Sequence, residues 1–119
     1  MGRRSVEDML PLTPAVLHIL LALADGDLHG YAVARHVDRA SDGQVRMGPG
    51  TLYGSIQRMT ESGLVEETTS RHRQDGAERR RYYRLTPFGR RVLERELDRL
   101  AAVVDAARRR QLLPAPDPA

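Results

Sequence analysis

The sequence predicts a mainly α-helical fold carrying one two-stranded β-hairpin. Three features lead there. Apolar residues recur at helical spacing in four separate stretches. Between the third and fourth stretches, threonine- and tyrosine-bearing runs flank Asp75-Gly76, a strong hairpin-turn pair. And 119 residues amount to one domain, able to bury roughly two-thirds of its unfolded surface.

Residues 1–12 are expected to be an N-terminal arm. Thr13 and Pro14 then offer a helix N-cap and a proline at the first helical position. Val16, Leu17, Ile19, Leu20, Leu21 and Leu23 make this first helix apolar nearly all round, so it needs cover on several sides, some of it from a second subunit. Asp25-Gly26-Asp27 ends it. In the second helix Tyr31, Val33, Ala34 and Val37 mark the buried side, and Arg35, His36, Asp38 and Arg39 face outward. Ser41-Asp42-Gly43 closes that helix.

The third helix follows Gly48-Pro49-Gly50, which break regular structure, and ends near Ser62-Gly63, glycine being common just past a helix end. Leu52, Ile56 and Met59 are its buried face. Strands are expected within Val65–Arg71 and Arg80–Leu85. Two strands alone are marginal in water, so the hairpin must lean on the helices. Alternation along the second strand puts Tyr82 and Tyr83 on opposite faces, with Tyr83 the core residue and Tyr82 exposed. Thr86-Pro87 repeats the capping logic of Thr13-Pro14. The last helix then carries Leu93, Leu97, Leu100, Val104 and Ala107 at alternating steps of four and three, a heptad seam suited to pairing with another helix. The expected division is an arm (1–12), a helical and hairpin domain (13–85), a dimerisation helix (86–113) and a disordered tail (114–119).

Charge narrows the partners. The formal net charge is only +3, yet all 19 basic residues are arginine, whose fork matches phosphates and guanine edges. GC-rich coding would produce the same bias, so position matters more than total. Residues 71–84 hold six arginines against Asp75 and Glu78, a local formal charge of +4. Arg3 and Arg4 precede the apolar run Val16–Ala24, but Glu7 and Asp8 spoil a positive leader and His18 interrupts the run. The run is also shorter than the roughly 18 residues of a membrane span. A buried helix is expected instead, and the absence of cysteine fits a reducing, cytoplasmic setting.

Helices two and three in this order form a helix-turn-helix pair, and the hairpin beside them becomes a wing. The third helix has a lightly furnished outer face. Gly50 and Gly54 permit close approach to base edges, while Thr51, Ser55, Gln57 and Arg58 offer hydrogen bonds. Tyr53 suits either a phosphate contact or a structural role. In the wing, Arg73, Arg79, Arg80 and Arg81 are placed to grip phosphates or reach a minor groove. Double-stranded DNA is the implied partner. His18 suits a core or interface position, and His29, His36 and His72 show no metal-ligand spacing, so neither metal nor cofactor is expected. No nucleophile with a matched base, carboxylate pair or P-loop lysine points to an enzyme. The competing possibility is a winged-helix protein-interaction module that never touches DNA.

Three segments carry a family resemblance: LHGYAVARHV (28–37), GPGTLYGSIQRMTESGLV (48–65) and RRRYYRLTPFGR (79–90). They resemble the PadR family of bacterial transcriptional regulators, over a span from about Thr13 to Leu113. The resemblance implies a winged helix-turn-helix homodimer acting on a palindromic operator, usually as a repressor. A single C-terminal helix is similar to the short branch of that family. Gly54 departs from the proline common at that position, and there is no tryptophan to form the aromatic drug site of some short members. A small apolar effector is expected to act through the first and last helices, releasing DNA by altering the recognition helices' spacing.

Overall fold

The computed structural model describes residues 5–68 and 81–116. The hairpin turn at Asp75-Gly76 and the arginines at 73, 79 and 80 lie outside the described residues. Four helices and three short strands follow one another: α1 (Pro14–Leu23), β1 (Leu28–His29), α2 (Gly30–Ala40), α3 (Pro49–Glu61), β2 (Val65–Thr68), β3 (Tyr82–Leu85) and α4 (Pro87–Arg109).

The expected caps are present. Thr13 Oγ1 accepts from Val16 N–H at 3.3 Å and Thr86 Oγ1 from Gly89 N–H at 2.9 Å, each before a proline at the first helical position. Pro49 and Gly50 do not precede α3 but form its first turn, with Gly48 as N-cap, because proline's fixed φ suits that position. Gly63, at φ +82°, reverses the chain after α3 in a left-handed conformation that L side chains rarely adopt.

The sheet has three strands, not two. β3 lies between β1 and β2, antiparallel to both, with Leu28 opposite Tyr83, His29 opposite Tyr82, and Val65 opposite Leu85. The extra strand corrects the expectation for Tyr82. Both tyrosines are buried: Tyr83 joins the core, and Tyr82 is covered on the other face, where the His29 ring meets it edge-on at 5.5 Å. Burial, then the neighbouring Glu67 carboxylate and Tyr53, pushes the Tyr83 phenol above its ordinary pKa, so it stays neutral.

The core is aliphatic and drawn from every helix: Ile19, Leu20, Val33, Val37, Leu52, Ile56, Leu64 and Val92 are all essentially inaccessible. Leu93 belongs here too. At 3% exposure it packs within its own chain, so the seam's first position is unavailable to a partner, whereas Leu97 is 40% and Val103 55% exposed. Tyr31 goes the other way. Expected in the core, it is 65% exposed, because the buried side of α2 centres on Gly30, Val33 and Val37 and position 31 falls roughly 120° round the helix from it.

From residue 5 onward the arm is structured. A 3₁₀ turn at Glu7–Met9 packs Val6, Met9, Leu10 and Leu12 against the core. Two contacts fasten it to α4: Glu7 pairs with Arg95, and the Leu12 N–H donates to Glu96 Oε2 at 2.9 Å. Glu96 is 1% exposed, and Arg99 donates to both its oxygens, at 2.6 and 3.0 Å. No described helix is long and apolar enough to cross a membrane.

Two outcomes follow. A Cβ on Gly89 would lie 1.9 Å from the Leu64 carbonyl oxygen, a backbone atom with nowhere to go. Gly89→Ala should therefore cost about 3 kcal/mol or more in urea unfolding. The Arg99 hydrogen bond, opposed by burial and aided by Leu12 N–H, holds the Glu96 carboxyl below the usual glutamate range. A carboxyl lowered by folding stabilises the fold above its unfolded pKa and loses that contribution as pH falls through the folded value. Melting temperature should thus fall on acidification below about pH 4.5, and Glu96→Gln should be less stable at neutral pH with a flatter acid limb.

Candidate nucleic-acid interface

The link between α2 and α3 is set by three short-range devices. Ser41 caps α2, its hydroxyl donating to the Val37 carbonyl at 2.8 Å and accepting from Val45 N–H at 2.9 Å. Asp42 and Gly43 both take positive φ, at 53° and 76°, which turns the chain within two residues. Arg46 lies 3.5 Å from Asp38 across the turn. With Leu52, Ile56 and Met59 in the core, α3 is held by one side and leaves the other free.

That free side carries Gly50, Thr51, Gln57 and Arg58, all exposed, with Gly54 half-buried between them. No side chain caps α3, so the first-turn N–H groups meet solvent beyond Gly48. Arg58 folds back along its helix, one guanidinium nitrogen donating to Ser55 Oγ at 3.3 Å and another 3.6 Å from where a Gly54 side chain would begin. A Cβ at position 54 would make ordinary van der Waals contact with that nitrogen, so the guanidinium lies over Gly54 without depending on it for space.

Ser55 does not sit on that outer face. It is 5% exposed, because the buried side of α3 is wider than the Leu52–Ile56–Met59 row and takes in position 55, one turn after Thr51. Its role is to orient Arg58. Tyr53 is at the edge: half-exposed, with its hydroxyl end lying over Gly30 at the start of α2. Beside it, Tyr31 stacks on His29 at 6.4 Å and beneath the Arg35 guanidinium at 5.7 Å. This exposed aromatic and cation pair was missed by helical spacing, which placed Tyr31 inward.

Just before β3, Arg81 Nε is 3.8 Å from Glu67, and on the strand Arg84 Nε donates to Glu66 at 2.8 Å. Both pairs are open to water, where such attraction is weak and readily exchanged for another anion. Arg73, Arg79 and Arg80 lie outside the described residues. Of the expected seam, Leu97, Leu100, Val104 and Ala107 are at least partly accessible along α4. No cluster of three or more potential metal ligands occurs among the described residues.

Gly30 tests how Tyr53 is seated. An added Cβ would meet only the far end of that exposed side chain, which can swing aside. Gly30→Ala should cost less than about 1 kcal/mol in urea unfolding, in contrast to Gly89→Ala, since a movable ring yields where a carbonyl cannot.

Comparison with known proteins agrees with this geometry. Residues 19–95 match the family described as transcriptional regulator PadR-like. The transcriptional regulator Rv3488 of Mycobacterium tuberculosis is 37% identical over 91 residues, covering 74% of this chain and 79% of that protein. A 37.1 kDa protein of transposon TN4556 from Streptomyces fradiae is 41% identical over 87 residues, but the matched region is 73% of this chain and only 23% of that protein. Among solved structures, a PadR family regulator from Clostridium difficile superposes with a TM-score of 0.68 at 23% identity, covering 82% of this chain and 97% of that one. Bacillus subtilis PadR in complex with operator DNA gives 0.61 at 22% identity, covering 73% and 47%. The family match over most of the chain, together with the M. tuberculosis relative, shows that the chain belongs to the PadR-like family of transcriptional regulators.

Proposed function

We propose that this regulator binds double-stranded DNA as a homodimer, α3 entering the major groove and the hairpin flanking it. The observation that carries this reading is the α3 surface: a core-anchored helix whose exposed side combines bare glycine positions with Thr51, Gln57 and Arg58. Close backbone approach and a guanidinium fork are what base-edge recognition requires. Open N–H groups at the start of α3 favour a phosphate there. Tyr53 and Arg81 would contact the sugar-phosphate backbone, and Arg73, Arg79 and Arg80 would extend that contact along the wing. The operator complex of the B. subtilis relative supports the same use of the fold.

The stripe of exposed Leu97 and Val103 with half-buried Leu100, Val104 and Ala107 on α4 is the proposed dimer contact. Two copies would present their α3 helices to successive major grooves about 34 Å apart on a palindromic site. The dimer would act as a repressor in the compartment that holds the DNA, released by a small apolar effector.

Fluorescence anisotropy on DNA from immediately upstream of the gene, against scrambled DNA at two salt concentrations, tests this directly. Tight, salt-weakened binding to the upstream DNA alone is expected; binding to neither shifts the assignment to a protein-interaction module. Arg58→Ala should cost about 1–3 kcal/mol on upstream DNA and far less on scrambled DNA. Equal losses on both would remove Arg58 from base recognition. Val103→Glu should raise the dimer dissociation constant in sedimentation equilibrium while leaving the melting temperature of dilute protein nearly unchanged, because the site is exposed within its own chain.

A further inference from the structure

A cavity of ≈ 180 Å³ lies between the arm, α1 and the inner edge of α3. Its walls are apolar: Met9, Leu12, Val16, Met59 and Leu64. One edge is polar, formed by Arg58, Ser62 and the buried Ser55 hydroxyl. Among the described residues no carboxylate lines it, Arg58 is the one charged side chain that does, and Arg58 enters no ion pair. The nearby Glu96 carboxylate is occupied by Arg99 and the Leu12 N–H and does not line the space.

From this arrangement we infer that the cavity is an effector site for a compact apolar molecule ending in a carboxylate. A space of this size suits roughly ten non-hydrogen atoms at interior packing density. The methionine walls adapt to an irregular apolar body, and the carboxylate takes the guanidinium fork in a charge-assisted pair. Arg58 cannot serve such a carboxylate and a base edge together, so occupancy withdraws it from DNA. This last step rests on the DNA-binding role proposed above for Arg58; the ligand site itself does not. The location differs from the expected lever of first and last helices, since the recognition helix itself forms one wall.

The test uses the full chain with ¹³C-methyl-labelled methionine and sodium octanoate as probe. Met9 and Met59 line the cavity while Met47 does not, so Met47 is an internal control. Saturable shifts at Met9 and Met59, with Met47 unmoved, are expected. 1-Octanol should bind about ten-fold more weakly, the loss of one charge-assisted pair. Arg58→Gln should erase that preference, and Val16→Phe, which fills the cavity, should abolish the shifts while the Met47 signal and the melting temperature stay in place. No saturable shift, equal shifts at Met47, or octanol binding as tightly as octanoate would overturn the site. With upstream DNA bound, saturating octanoate should weaken anisotropy-measured affinity about ten-fold. Methyl shifts without that release overturn the regulatory role. Methyl shifts in a protein that binds no DNA at all overturn the DNA-binding proposal and leave the ligand site standing.

Discussion

Everything in this molecule turns on a backbone contact at the point where α3 gives way to β2 and β3 to α4. Gly63 reverses the chain, and the Leu64 N–H returns to the Met59 carbonyl at 2.9 Å. The Thr86 N–H then bonds the Leu64 carbonyl at 3.1 Å, while its hydroxyl donates to the Gly63 carbonyl and accepts from Gly89. Gly89 brings α4 against Leu64 with no side chain between. The end of α3 and the start of α4 are therefore joined backbone to backbone. Side-chain layers can slide and repack, but hydrogen-bonded main chain moves as a piece. Any reorientation of α4 is communicated to α3 with little slack.

The arm adds a second brace on the far side. It is tied to α4 through Arg95 and Glu96 and leans on the core beside α3, so the helices are held from two directions. Charge is distributed with the same division. Arg46, Arg81, Arg84, Arg95 and Arg99 each sit against a carboxylate, whereas Arg58 has, among the described residues, only the Ser55 hydroxyl. A formal net charge of +3 understates how differently these arginines are placed to meet an external anion.

Much of this architecture was legible in the sequence because its signals are local. Thr13-Pro14, Thr86-Pro87 and Ser62-Gly63 state where helices begin and end, and the Leu52–Ile56–Met59 row states which side of α3 is buried. The failures have a common cause in contacts made across the chain. A two-residue strand such as Leu28–His29 has no periodicity to detect; only its pairing with Tyr82 and Tyr83 defines it. Missing it left Tyr82 uncovered. Ser55 and Leu93 each follow a pattern correctly identified, but how wide a buried face is depends on neighbours that spacing does not name.

α4 also sets two different concentration laws along a single helix. Its first turns, with Val92, Leu93 and Glu96, are satisfied within the chain, and that part of the free energy is indifferent to how many copies surround it. The later turns expose Leu97 and Val103, and whatever those residues gain by pairing must be paid against the entropy of bringing two molecules together. In a cell holding few copies, the fold would persist while the proposed paired state thinned out. Abundance would then be a control variable in its own right, acting on assembly without touching the integrity of the subunit.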